Sequence, residues 1–559
     1  MIMKRHSYIA TLLSLLALLL AVSSCYKDEG NYDYSELNEI SADMTASGGT
    51  FAVDRYDTLR INPVLHFSKG EVDESDLEYK WEIYLDDWAN AEPQSTVLST
   101  ERNLCVQITK PESATMYAVV LSVTNKRNGT SYRFKYSLSV QPSVMSGLLV
   151  LQDEDGACRL DYLASTRCEP TFAYTHHIPY AFAAANGRRL QGVPRGVSFT
   201  LATKSSYEPQ VKRIYLWTDK EVVMLDAADF TCLHANEELF MIAPERLDVQ
   251  NIMRHGTYNY VTVLVNGTEA HALNQQTAMS YGFQFSRALR PNATLSGDIR
   301  LSRYIYQPDD FGSWTGFEAI LYDEAGQRFV KVDEGVNNNS DLKAFEQQTD
   351  KTKAIFDVNN IGLQMVWMGK GNGGQGFAVF TDGQKRSIYR SRFNVRSTIG
   401  DTGNPGDEVE VNPQVYNIAI AKYDFSAVAG GDEARYFDLN RYANTMLYAT
   451  PSDIYVYDFS AKKATLINDP FPEGEEITAL KIYNVEHYTA NLSDVAGTLL
   501  YVATWNGTEG KVYEFPLNRT TNRLNNRTAA SGNLKEPYEV FTGFAKVVDF
   551  CVKCQGRSD

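Results

Sequence analysis

The chain of 559 residues predicts an all-β fold: an N-terminal immunoglobulin-like sandwich followed by a larger ring of blade-like sheets. Three observations lead there. Strand-period alternation and an Asn-Gly turn fill the region from 36 to 142. Beyond it one pattern recurs seven times: an apolar run, a tight polar turn, a second apolar run. No long segment carries sustained helical periodicity.

In the first region "DTLRINPVL" and "DLEYKWEIYL" read as strands, the second setting Tyr79, Trp81 and Ile83 on alternate positions and therefore on one face. "YAVVLSVTNKRNGTSYRFKYSLSV" supplies two further strands joined through Asn128-Gly129, a pair that tolerates the positive φ of a tight hairpin. A Trp in a middle strand with a late hairpin fits an immunoglobulin-like sandwich with Trp81 in its core.

After "QPSVMSG" the paired runs start at Gly147, Arg213, Tyr260, Gly316, Gly376, Met446 and Leu499. Runs such as "LLYVA" and "IYVYDF" are apolar on both alternations, as a strand must be when both of its faces are buried. The blades of a β-propeller pack face to face and meet that requirement, so residues 143–559 are expected to form a propeller of seven blades. The last run, "GFAKVVDFCVK", has no hairpin after it and fits as the innermost strand of the first blade, closing the ring. A pair of β-sandwiches is the competing architecture.

The N-terminus has the order of a signal peptide, residues 1–24: Lys4 and Arg5, then an apolar run from Ile9 to Val22, shorter than the about 20 apolar residues of a membrane span. Val22-Ser23-Ser24-Cys25 resembles the lipobox of bacterial lipoproteins, which implies lipidation of Cys25 and a tether over 25–35. The following "YKDEGNYDYSE" resembles the signal that sends lipoproteins to the outer face of the outer membrane in bacteria with SusC/SusD-type importers. In the sandwich the order "YKWEI", "YAVVLSVTN", "FKYSLSV" resembles PKD-type domains. Taken with the lipobox, the chain resembles the PKD-like family of surface lipoproteins, commonly encoded beside SusC/SusD-type importers. That resemblance implies a lipid-anchored, outward-facing place on the outer membrane and an importer of this type as partner in nutrient uptake.

A net charge of −16 with scattered basic residues disfavours nucleic acid and highly acidic glycans as partners. Besides Cys25 there are Cys105, Cys158, Cys168, Cys232, Cys551 and Cys554, irregularly spaced and expected to be mostly buried free thiols. "CVKC" lacks the second CxxC of a zinc site and the strand-to-helix setting of a redox motif. His176-His177 are adjacent and point apart on a strand, "DEDG" from Asp153 lacks the ligand series of a calcium loop, and "GKGNGGQG" lacks the ending of a phosphate loop. No metal and no cofactor is therefore expected, and no G-x-S-x-G nucleophile elbow is present.

What remains is a binding surface. Trp217 and Trp505 each end the first strand of a hairpin, and Trp314 lies in "DDFGSW" just before another. Exposed aromatic rings stack on sugar faces or peptide side chains, so these three are the candidate ligand contacts, with packing between blades as the alternative for each. The expected function is capture of an oligosaccharide or peptide at the cell surface for a SusC/SusD-type importer. The alternatives are a propeller glycoside hydrolase or polysaccharide lyase, which needs paired acids in the central funnel, and a purely structural subunit of the importer complex.

Overall fold

The computed structural model describes residues 37–43, 49–70, 72–87, 93–113, 115–141, 144–172, 174–202, 211–253, 261–274, 283–307, 317–333, 341–345, 354–392, 419–485, 494–524 and 536–554. Cys25 and Trp314 lie outside them. The chain forms two compact units, Met1–Ser143 and Val144–Asp559.

The first unit is a β-sandwich. Its main sheet places Thr50–Asp54, Ser131–Gln141, Tyr117–Asn125, Leu77–Leu85 and Thr96–Ser99 side by side, and two further sheets pair Ile40–Asp43 with Val64–Phe67 and Thr58–Ile61 with Leu104–Gln107. In Leu77–Leu85 the alternate residues Leu77, Tyr79, Trp81 and Ile83 are buried while Glu78 and Lys80 face solvent, the consequence of a two-residue period on a half-covered sheet. Trp81 is fully enclosed, packs beside Tyr136 and donates its indole N–H to the Glu101 carbonyl at 2.9 Å. The hairpin turn takes Gly129 at φ 73°, and the Asn128 side chain accepts the Thr130 N–H at 3.0 Å.

The second unit is a seven-bladed β-propeller. All seven hairpins read from the sequence are the second and third strands of successive blades: 147–164, 211–226, 261–274, 317–333, 376–391, 445–458 and 499–516. The innermost strands are Pro194–Ala202 in the second blade, Val249–Met253 in the third, Gln364–Lys370 in the fifth, Tyr436–Leu439 in the sixth and Glu476–Ile482 in the seventh. In the fourth blade the segment 301–306 takes this place, bridging Leu301 to Asp323 and Tyr306 to Ile320. In the first blade it is Lys546–Lys553 that lines the centre, antiparallel to Gly147–Glu154 with Leu148 opposite Val552. The last strand of the propeller thus pairs with its first hairpin, and the ring closes.

The apolar alternation has a direct structural reading. Ile214 and Leu216 of the second blade pack toward the first blade, whereas Tyr215 and Trp217, on the other face of the same strand, pack toward the third. Leu447 and Ala449 of the sixth blade likewise face the seventh, and Met446 and Tyr448 face the fifth. Each blade is sandwiched between two others, so both faces of its central strands are removed from water. Full burial of such a side chain contributes about 1.5–3 kcal/mol. The six cysteines are free, with Cys158, Cys168 and Cys554 buried, Cys232 and Cys551 half-buried and Cys105 exposed.

Candidate binding sites

The seven innermost strands surround a central cavity of about 380 Å³. Its wall carries Arg195, Arg303, Lys370 and Lys481, two carboxylates, Asp438 and Asp549, and the rings of Tyr304, Trp367 and Phe437. The carboxylates are used by the fold. Asp438 accepts the Ile482 N–H of the seventh blade at 2.7 Å and the Leu439 N–H at 3.0 Å, and lies 3.8 Å from the Lys481 ammonium. Asp549 accepts the Val197 N–H of the second blade at 3.4 Å and the Phe550 N–H at 2.9 Å. Asn251 makes a related link, donating to the Arg303 carbonyl of the next blade at 3.0 Å. In all three cases a polar side chain on an innermost strand satisfies backbone of the following blade, which fixes the angle between neighbouring sheets. Burial pushes the Asp549 carboxyl up to about 6, although Lys481 and its two backbone donors favour the ionised form.

A second cavity, about 330 Å³, opens on the rim where the first and seventh blades meet. Three loops build it. The turn after Gly147–Glu154 brings Asp153, Glu154 and Asp155, the end of Leu499–Trp505 brings Trp505 and Thr508, and the approach to the closing strand brings Phe544 and Lys546. Trp505 is half-buried, and Phe544 is covered by His177, whose ring stacks on it at 5.1 Å. Arg159 forms the polar floor: it pairs with Asp161 through two bonds of 2.9 and 2.7 Å and lies 4.2 Å over the Tyr180 ring. Burial raises Asp161, but bonds from His177, Arg159 and the Tyr180 N–H outweigh it and hold the carboxyl below its usual range. Glu154 follows the same logic: burial opposes its charge, and the Tyr180 hydroxyl at 2.8 Å and the Arg189 guanidinium at 2.5 Å restore it. The site combines an open aromatic face with fixed acceptors and donors.

The sequence-derived tryptophans part company here. Trp505 borders the rim cavity. Trp314 is outside the described residues. Trp217, expected as an exposed ring, is 3% exposed and belongs to the seam between the second and third blades. The reason is Gly196: a Cβ there would stand 2.2 Å from the indole, so the glycine lets the ring lie flat against the innermost strand. Four basic residues that are scattered in the sequence, from four blades, border the central cavity together with two carboxylates. No local motif marks them. Their only common property is a place on an innermost strand, and those strands are short and interrupted by polar residues.

No curated protein matches the sequence. Among solved structures, AztD from Citrobacter koseri is 11% identical with a TM-score of 0.33, covering 84% of this chain and 100% of that one. The extracellular domain of a one-component system from B. thetaiotaomicron is 9% identical with a TM-score of 0.37, covering 90% and 70%. The Nup133 β-propeller domain of Vanderwaltozyma polyspora is 8% identical with a TM-score of 0.31, covering 61% and 88%. The profile of the PKD-like family matches residues 25–194, the whole sandwich and the first strands of the propeller.

Proposed function

We propose that this chain is a lipid-anchored cell-surface binding protein whose propeller captures an oligosaccharide and that it works beside a SusC/SusD-type importer. The observation that carries the capture role is the rim cavity. A neutral polyhydroxylated ligand needs a flat apolar face, acceptors for its hydroxyls and donors for its ring oxygens. Trp505 supplies the first, Asp153 and Asp155 the second, and Lys546 the third. Support for the anchor and the importer comes from the lipobox at Cys25, the acidic tether and the PKD-like match. We read Asp438 and Asp549 as links between blades rather than as a hydrolytic acid pair, since each already accepts backbone N–H groups.

The test is calorimetry with neutral oligosaccharides of graded length on the wild-type chain and on Trp505→Ala. Loss of the aromatic platform is expected to weaken binding about tenfold or more while the melting temperature stays put. Equal affinity of the two proteins would remove the rim cavity from the reading. Copurification of an importer pair from outer membranes tests the partner, and recovery of the protein alone speaks against it.

A further inference from the structure

Within the central cavity the charged groups are not equivalent. Asp438 and Asp549 are engaged by backbone donors of the next blade. Arg195 is paired with Asp248 at 2.5 Å, and Lys481 with Asp438 at 3.8 Å. Arg303 differs from them. It is exposed, its guanidinium lies 5.2 Å over the Tyr304 ring, and among the described residues no carboxylate stands within ion-pair distance of it. On the wall of the same cavity the Trp367 ring is held against Phe437, centroids 5.5 Å apart and planes at 27°, and lies close over Gly369, where a Cβ would meet the indole at 2.4 Å. The wall also contains three buried polar atoms, Ser198 Oγ, Trp217 Nε1 and Asn484 Oδ1, that have no hydrogen-bond partner among the described residues.

These features define a ligand chemistry. A planar guanidinium with free donors selects a carboxylate, which it binds through two parallel bonds. Flanking aromatic faces select a flat, partly apolar ring rather than a small inorganic anion. A volume of about 380 Å³ lies at the small end of the range for ligand pockets and suits one or two sugar units. We infer that the central cavity is a second binding site, specific for an acidic sugar: a hexuronate unit whose carboxylate is taken by Arg303 and whose ring rests on Tyr304 and Trp367. The inference rests on the oligosaccharide reading of the propeller and adds a charge class to it. It is independent of the rim cavity, because no residue is shared between the two walls. Although the whole chain is acidic, four basic residues and two carboxylates border this cavity, and Arg303, which acts on Asp549 only beyond ion-pair distance, presents its guanidinium to a ligand.

The experiment is calorimetry of the full chain with a trigalacturonate, with the corresponding neutral trisaccharide, and with an acidic tripeptide of equal charge. Wild type, Arg303→Gln and Trp505→Ala are compared, and unchanged melting temperatures confirm that each variant folds. The expected result is trigalacturonate affinity that falls about tenfold or more in Arg303→Gln, declines with added salt and survives Trp505→Ala, while neutral binding shows the opposite pattern. Indifference of trigalacturonate to Arg303→Gln overturns the inference, and with neutral binding still lost in Trp505→Ala the capture reading stands alone. An acidic peptide bound as tightly as the uronate overturns the sugar specificity. If wild type binds none of the three, both readings fall.

Discussion

The two units of the chain are held together by different physics. Among the described residues of the sandwich only Asn125 is a buried polar side chain, and the core is the apolar layer around Trp81. The propeller buries Asp161, Asp323, Glu514 and Lys553, among others, and Glu514 ties the seventh blade to the first through Ser165 and Arg167. A sandwich needs one interface between two sheets, whereas a propeller needs a continuous set of interfaces that must meet at the right angle to close. Apolar packing supplies attraction but little directional preference, and the hydrogen-bonded charges supply the direction. The price of that direction is sensitivity to pH and to the loss of single partners.

The sharpest way to break the comparison is at the closing seam. Deleting residues 546–559 removes the strand that pairs with Gly147–Glu154 and leaves the edge of Leu148, Leu149, Val150 and Leu151, all fully buried in the intact chain, open to water. The expected outcome is loss of the propeller's cooperative melting transition, with the sandwich transition retained because its core is its own. Scanning calorimetry of the two lengths decides it, and a truncated chain with both transitions intact would show that the ring does not depend on its last strand.

Point substitutions set the two kinds of interface against each other. Trp81→Ala empties the sandwich core and is expected to cost about 3–5 kcal/mol in that unit alone. Glu514→Ala acts on the seam between the seventh and first blades, where the carboxylate accepts the Ser165 hydroxyl, the Tyr501 hydroxyl at 2.7 Å and the Arg167 guanidinium at 3.2 Å. Its removal orphans these donors and is expected to cost the propeller about 3 kcal/mol. Urea titrations followed at probes in each unit separate the effects. A Glu514→Ala propeller as stable as wild type would mean that the buried network adds nothing beyond packing.

How much of this was readable in advance follows from the same physics. The blade hairpins were legible because both of their faces are buried, so runs like Leu148–Leu151 and Leu499–Ala503 are uniformly apolar and end at turn residues. The closing strand was legible for a topological reason, as an apolar run with no hairpin after it. The other innermost strands were not: segments such as Val249–Met253 and 301–306 are short, carry polar side chains toward the cavity and have no periodicity to detect. Arg303 and Lys481 sit on them, 178 positions apart, and only the ring brings them together. Trp217 and Trp505 occupy equivalent hairpin positions, and the sequence around them does not reveal that Gly196 draws one ring into a seam while the other stays open.

The smallest expected effect is also the most specific to the propeller. Asp549 ionises near 3.8 in an unfolded chain and at about 6 in the folded one, because burial opposes its charge more than Lys481, its backbone donors and Arg303 favour it. A carboxyl raised in this way helps the fold fully below the unfolded value, and that help is lost as pH rises from about 3.8 through 6. Near neutrality the ionised group then burdens the propeller by on the order of 2 kcal/mol, lessened by its opening onto the cavity. Asp549→Asn keeps an oxygen to accept the Val197 N–H and removes the charge. The expected outcome is a propeller more stable than wild type by about 1–2 kcal/mol at pH 7 and indistinguishable from it at pH 3.5, with the sandwich transition unchanged at both. Taking the difference between variant and wild type cancels groups of opposite sign such as Asp161, whose lowered value makes its own contribution fade in acid. A difference that is the same at the two pH values would mean that Asp549 acts only through its hydrogen bond to the next blade, and that the charge-rich interior of the ring is better solvated than its burial implies.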